Sequence, residues 1–136
     1  MIDKNINLAD VSTPALAYLG DSVIELLVRR RLVCNGLGSS KSLNAKALEY
    51  VSAPAQAEAV KNILDDLTEE ESAYFRRGRN IGHTNTPKRA TVAQYRAATG
   101  METLFGYLYL SGQTERAEEL FSKAYALEGD IQPAVE

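Results

Sequence analysis

Two carboxylates stand inside stretches that otherwise read as apolar helix. Asp21 directly follows Gly20 within residues 13–31, TPALAYLGDSVIELLVRRR. Glu102 lies among Thr99, Gly100 and Gly106 within residues 91–110, TVAQYRAATGMETLFGYLYL. Glycine in a helix interior costs about 1 kcal/mol relative to alanine, and aspartate also ranks low. Such flaws side by side in a strongly apolar helix point to a requirement other than helix stability. Glycine lets a neighbouring backbone approach, and the carboxylate offers hard oxygen at the point of approach. If the two helices cross at Gly20 and Gly106, Asp21 and Glu102 can share a divalent ion. A carboxylate pair suits Mg²⁺ or Mn²⁺, which keep several waters and engage substrate phosphates. The chemistry that follows is metal-assisted phosphodiester hydrolysis. The plain alternative makes Asp21 a solvated residue on a polar helix face.

A second feature points at phosphate. Residues 72–101 contain no Asp or Glu, yet hold Arg76, Arg77, Arg79, Lys88, Arg89 and Arg96. These are six of the 15 basic residues, leaving nine against all 18 acids. A window of +6 thus sits in a remainder of −9, although the whole chain is only −3. Segregation of this kind is expected of a protein that touches phosphates with one surface. The other explanation is a basic loop neutralised by the chain's own acidic helices. Within the window, residues 78–88 read GRNIGHTNTPK, too rich in Gly, Asn, Thr and Pro for regular structure. A long irregular segment in so small a chain is a candidate substrate loop. Arg76, Arg77, Arg79, Lys88 and Arg89 supply its charge. Asn80 and His83, with Thr84 and Asn85, supply donors for a nucleic-acid groove.

Helices must position these groups. Ser12 or Thr13 caps the first, with Pro14 in its first turn, and Asn35-Gly36 ends it near Cys34. Leu16, Leu19, Val23, Leu26 and Leu27 form its apolar face. Arg29, Arg30 and Arg31 fall in its last turns, where cations complement the helix dipole. The pattern predicts further helices over 41–51, 53 to about 64, 69 to about 77, 91–110 and 114 to about 127. Leu43, Ala47, Leu48 and Val51 face inward on the second. Val92, Tyr95, Ala98, Met101, Leu104, Phe105 and Leu108 form the stripe of the fifth. Thr68 and Glu71 read as a capping box. Residues 129–136 are expected to fray. No strand-like alternation, internal repeat or low-complexity segment appears.

Composition bounds the rest. A chain of 136 residues fits one domain with a real core. Its apolar runs are too short to span a bilayer, and MIDKNINLAD is not a secretory signal. One cysteine, Cys34, excludes an intramolecular disulfide and a cysteine-based zinc cluster. Cytoplasmic residence with no membrane partner is the expectation.

With these residues in view, AYLGDSV at Ala17 to Val23 resembles the signature helix of the ribonuclease III family, whose core reads E-F-L-G-D-S-V. ETLFGYLYL at Glu102 to Leu110 resembles the family's second motif, E-A-L-x-G-A-x-Y-L. More closely, residues 8–127 are similar to the branch of that family that has the nuclease domain without a double-stranded-RNA-binding domain. The likeness is carried by ALAYLGD, VSAPAQAE, RRGRN, TPK and YRAATGMETLFGYLYL. It implies an all-α ribonuclease III-type endonuclease domain, a compact helical bundle, over residues 1–136. It further implies a homodimer, double-stranded or structured RNA as substrate, and Mg²⁺ as cofactor, with Mn²⁺ able to substitute. Maturation of the 23S ribosomal RNA precursor is the implied role. Carried across, Asp21 and Glu102 are the metal-binding catalytic residues. The family's other two carboxylates fall at Ala17 and Thr99 here, which thins the ligand set. Glu25 stands one turn after Asp21 and can assist, but a pair with Arg29 four residues on is the favoured role. A non-catalytic RNA-binding or ribosome-assembly factor, and a helical adaptor, are the competing classes. The two carboxylates speak against the first and the segregated arginines against the second.

Overall fold

The computed structural model describes residues 6–81 and 90–126, and every regular element among them is helical. Helix α1, Thr13–Cys34, starts where the Ser12 hydroxyl accepts the Ala15 N–H at 3.2 Å. It stops at Asn35, followed by Gly36 at φ +94°, a left-handed conformation glycine adopts without strain. Helix α2, Ser40–Val51, is capped by Ser39, and Ser52 both ends it and caps α3, Ala53–Lys61. The third helix is shorter than its sequence pattern suggests. Asn62 turns its side chain to donate to the Ala124 carbonyl at 2.9 Å, Ile63 drops fully into the core, and a 3₁₀ turn follows at Leu64–Asp66.

Helix α4, Glu69–Arg79, opens with the expected Thr68–Glu71 capping box and runs two residues past the expected end. Gly78 is the reason: it is buried against Thr103 and the Thr99 carbonyl of the next helix, so Gly78 and Arg79 belong to the helix and not to the loop. Residues 82–89, with His83, Thr84, Asn85, Lys88 and Arg89, lie outside the described residues, as does the expected frayed end at 129–136. Helix α5, Val92–Leu110, has its own capping box, Thr91 with Gln94. Helix α6, Thr114–Ala124, closes the set. It ends short of residue 127 because Tyr125 leaves the helix to donate its hydroxyl to the Tyr50 carbonyl at 2.7 Å.

The bundle is built on α5, which packs against α1, α3, α4 and α6. Ala98, Met101, Leu104, Phe105, Tyr107 and Leu108 are all buried, together with the small residues Thr99, Gly100, Thr103 and Gly106. A helix buried this widely is a core helix rather than a surface one. Helix α1 buries Leu16, Val23, Ile24, Val28 and Leu32. Leu26, expected inside, is 64% exposed, and so are Leu48 of α2 at 65% and Val92 of α5 at 56%. Ile24 and Val28 take the core positions on α1 in place of Leu26. Tyr50 takes the corresponding place on α2. Among the described residues no helix is long and apolar enough to cross a membrane.

Candidate active site

The α1–α5 crossing is a glycine-to-glycine contact. A methyl group on Gly20 would overlap the Glu102 carbonyl and come within 2.8 Å of the Gly106 nitrogen. A methyl on Gly106 would overlap the Leu16 carbonyl. The backbones therefore meet at Gly20 and Gly106, and the residues beside and opposite Gly20 are Asp21 and Glu102. Their carboxyls lie within hydrogen-bonding reach of each other. The pair expected from sequence is brought together here.

Electrostatics mark the pair as unsatisfied. Burial, and then the facing Asp21 carboxylate, push the Glu102 carboxyl up to about 8. Asp21 is solvent-exposed at its rim, yet partial burial and then Glu25 raise it above the ordinary carboxylate value, and the bond with Glu102 partly offsets this. Two like charges with too little water hold a shared proton unless a cation replaces it. Among the described residues no Lys or Arg forms an ion pair with either. Glu25 is occupied by Arg29 at 3.4 Å, as favoured from the helical spacing.

The donor set fits a small hard cation with a wet coordination sphere. Ala17 is buried and contributes no ligand. Thr99 turns its hydroxyl back to the Tyr95 carbonyl at 3.0 Å. Among the described residues no group of three or more His, Cys, Asp or Glu side chains gathers to hold a metal. Asp21 and Glu102 thus offer two carboxylates, leaving positions for water and phosphate oxygen, which suits Mg²⁺ better than an ion needing a full protein cage.

The basic residues separate into two groups. Arg76, Arg77 and Arg79 are exposed at the end of α4, and Asn80 is its C-cap. Arg96 is instead a clasp: its Nε donates to the Arg79 carbonyl at 2.7 Å and its Nη2 to Asn80 Oδ1 at 3.4 Å. The three arginines at the end of α1 are committed within the fold. Arg29 pairs with Glu25, Arg30 pairs with Glu118 at 2.9 Å, and Arg31 donates to the Tyr125 carbonyl at 2.7 Å beneath Phe121.

Sequence reasoning missed a second tight crossing. Gly78 meets Thr103, and Gly100 meets the Phe75 ring, so α4 also packs closely on α5, though less tightly than α1 does. The signal was there in Gly78, which reads as a loop residue only because Gly82 and Pro87 follow it.

Comparison with known proteins agrees with this geometry. The ribonuclease III domain model matches residues 14–113, which include Asp21 and Glu102. The chain is 47% identical over 109 residues to Mini-ribonuclease 3 of Symbiobacterium thermophilum, covering 80% of this chain and 84% of that one. It is 39% identical over 124 residues to Mini-ribonuclease 3 of Streptococcus pneumoniae, covering 90% and 94%. Its fold is similar to the crystal structure of a Fusobacterium nucleatum protein, with a TM-score of 0.75 and 32% identity over 83% of this chain and 90% of that one. With a glycine-tight carboxylate pair inside the matched region, the chain belongs to the ribonuclease III family, in its Mini-ribonuclease 3 branch, and is an endoribonuclease.

Proposed function

We propose that this endoribonuclease cuts double-stranded or structured RNA at the Asp21–Glu102 pair with Mg²⁺, acting as a homodimer on the 23S ribosomal RNA precursor. The observation that carries the reading is the unpaired carboxylate couple, crowded together at the α1–α5 crossing. It accords with the general dependence of ribonuclease III nucleases on divalent metal. Bound there, the ion supplies activation of water and stabilisation of the charge that develops on the phosphate. Glu102 holds a proton until the cation takes its place. Asp21, at the exposed rim, would hold the ion together with Glu102. Arg76, Arg77 and Arg79, with His83, Lys88 and Arg89, grip backbone phosphates, and Asn80 adds a groove contact.

A-form RNA hides its bases in a deep, narrow major groove, so recognition is led by shape, phosphates and 2′-hydroxyls. Duplex RNA presents two strands related by a local two-fold, which an isologous pair of sites matches. Tyr18, 84% exposed, and Leu26 and Val33 lie on one side of α1 and supply an apolar face for a second copy. Sedimentation at micromolar concentration is expected to give a dimer, and a fully active monomer refutes that part. The test of the activity is incubation of the purified protein with long double-stranded RNA, with Mg²⁺ and with chelator. Shortened duplexes with Mg²⁺ and intact RNA with chelator are expected. RNA that is bound but uncut under both conditions would establish the non-catalytic alternative.

A further inference from the structure

Arg77 is held differently from the arginines on either side of it. The Arg76 side chain makes no ion pair or hydrogen bond with the described residues. Arg79 lies 5.8 Å over the Phe75 ring. Arg77 donates its Nε to the Thr13 hydroxyl at 3.1 Å and lies 4.9 Å over the Tyr74 ring. Tyr74 is in turn stacked on Tyr107, with centroids 4.1 Å apart and planes 11° from parallel. Gln113 donates to the Tyr107 hydroxyl at 3.2 Å, and Tyr107 itself is buried. The guanidinium is therefore tied directly to α1 through Thr13, and it rests on Tyr74 of its own helix, which in turn is stacked on α5. Thr13 begins α1, and Asp21 follows eight residues on, about 12 Å along the axis at 1.5 Å per residue. Tyr107 follows Glu102 by five residues on α5.

Only Nε is used. Nη1 and Nη2 have no partner among the described residues and stand on an exposed side chain. Their planar N–H donors match a phosphate fork-to-fork. An arginine already held in place loses less freedom when it takes up that phosphate.

We infer that Arg77 is a pre-ordered phosphate contact that sets the register of the RNA against the Asp21–Glu102 pair, so that one bond rather than its neighbours is presented for cleavage. This rests on the reading of that pair as the cleavage site. Arg77 is then a positioning residue: it fixes a strand phosphate at a set offset from the carboxylates, while Arg76 and Arg79 add attraction without register. Thr13 and Tyr74 act through it.

The test maps cut positions and kcat/KM on an end-labelled RNA duplex of defined sequence with Mg²⁺. Wild type is compared with Arg77→Ala, Arg77→Lys, Thr13→Val, Tyr74→Leu and Asp21→Asn, each confirmed folded by its thermal transition. Arg77→Ala and Arg77→Lys are expected to lower kcat/KM by about tenfold or more, the size of one hydrogen bond to a charged group. They are also expected to spread the cuts over adjacent bonds. Thr13→Val and Tyr74→Leu keep the charge but release the guanidinium, so they too should spread the cuts, with a smaller loss of rate. A structural role alone would change stability and leave the cut positions in place. If Arg77→Lys cuts at the wild-type bond at the wild-type rate, or Thr13→Val and Tyr74→Leu leave the pattern sharp, Arg77 is only a surface charge and the inference is overturned. If Asp21→Asn cuts like wild type, the site reading itself fails, a result distinct from the first two.

Discussion

Glu71, in the first turn of α4, and Glu102, in the middle of α5, are both withdrawn from water, and the fold treats them in opposite ways. Glu71 is 3% exposed and fully answered. Its Oε2 accepts from Arg116 Nε at 2.9 Å, and its Oε1 accepts from Arg116 Nη2 and from the Thr68 N–H, each at 2.9 Å. Arg116 also donates to the Asp66 carbonyl at 2.7 Å, tying α4, α6 and the 3₁₀ turn together. The Arg116 guanidinium, foremost, holds the Glu71 carboxyl below the usual range despite its burial. Glu102 has no such cation and faces Asp21, so burial and like charge raise it to about 8. A buried carboxylate whose every need is met by the protein serves the fold. One crowded against another carboxylate is a candidate ligand site.

The largest expected effect breaks the ligand side of this contrast. Asp21→Asn and Glu102→Gln each keep shape and remove charge, so each should lower cleavage by at least about a hundredfold while leaving the fold and RNA binding in place. Cleavage assays with a parallel gel-shift check this, and near-normal turnover in either variant would remove the metal-site account.

On the structural side, Glu71→Ala takes the two-point acceptor from the half-buried Arg116, which keeps Glu119 and the Asp66 carbonyl, and leaves the Thr68 N–H without its partner. It should cost about 1.5–3 kcal/mol in urea unfolding. Glu102→Gln should do the reverse in metal-free protein at pH 8, adding about 0.5–2 kcal/mol, because it relieves a strained functional site. Glu102 keeps its proton to about pH 8 when folded, against an ordinary value of 4.5. Between those values the folded state binds the extra proton, so this group's contribution to stability falls as pH rises. Glu71 runs the other way: its contribution is present above its ordinary value and is lost as pH falls through its lowered one. Equal destabilisation by both substitutions would erase the contrast.

A smaller effect belongs to the α4 terminus. Arg76→Ala with Arg79→Ala should flatten the salt dependence of RNA binding, by about 1 in log–log slope for each phosphate that is no longer neutralised. Cleavage at saturating RNA should suffer less than cleavage at low RNA, since the carboxylates are untouched. An unchanged slope would move the RNA path elsewhere.

The contrast also shows what was legible in the sequence. Gly20-Asp21 and Glu102 with Gly106 stood out because each breaks a strong local pattern, and local pattern is what a single sequence carries. The caps at Ser12, Ser52 and Thr68 were legible for the same reason. The Thr68–Glu71 capping box was visible, but the partner of Glu71 was not, because Arg116 lies 45 residues away. Gly78 misled because its helical place depends on Thr103, and Leu26 misled because Ile24 and Val28 compete with it for the core side of α1. The hold on Arg77 spans α1, α4 and α5, and nothing in the local spacing announces it.

The central claim is that Asp21 and Glu102 together hold the catalytic cation in place of a shared proton. Calorimetric titration of Mg²⁺ into wild type, Asp21→Asn and Glu102→Gln, at pH 6 and at pH 8, tests it most directly. Wild type should bind Mg²⁺ more tightly at pH 8 than at pH 6, releasing protons at the lower pH as Glu102 gives up its own. Both variants should bind distinctly more weakly at pH 8. Wild-type binding that is the same at both pH values, or that survives unchanged in both variants, would contradict the account.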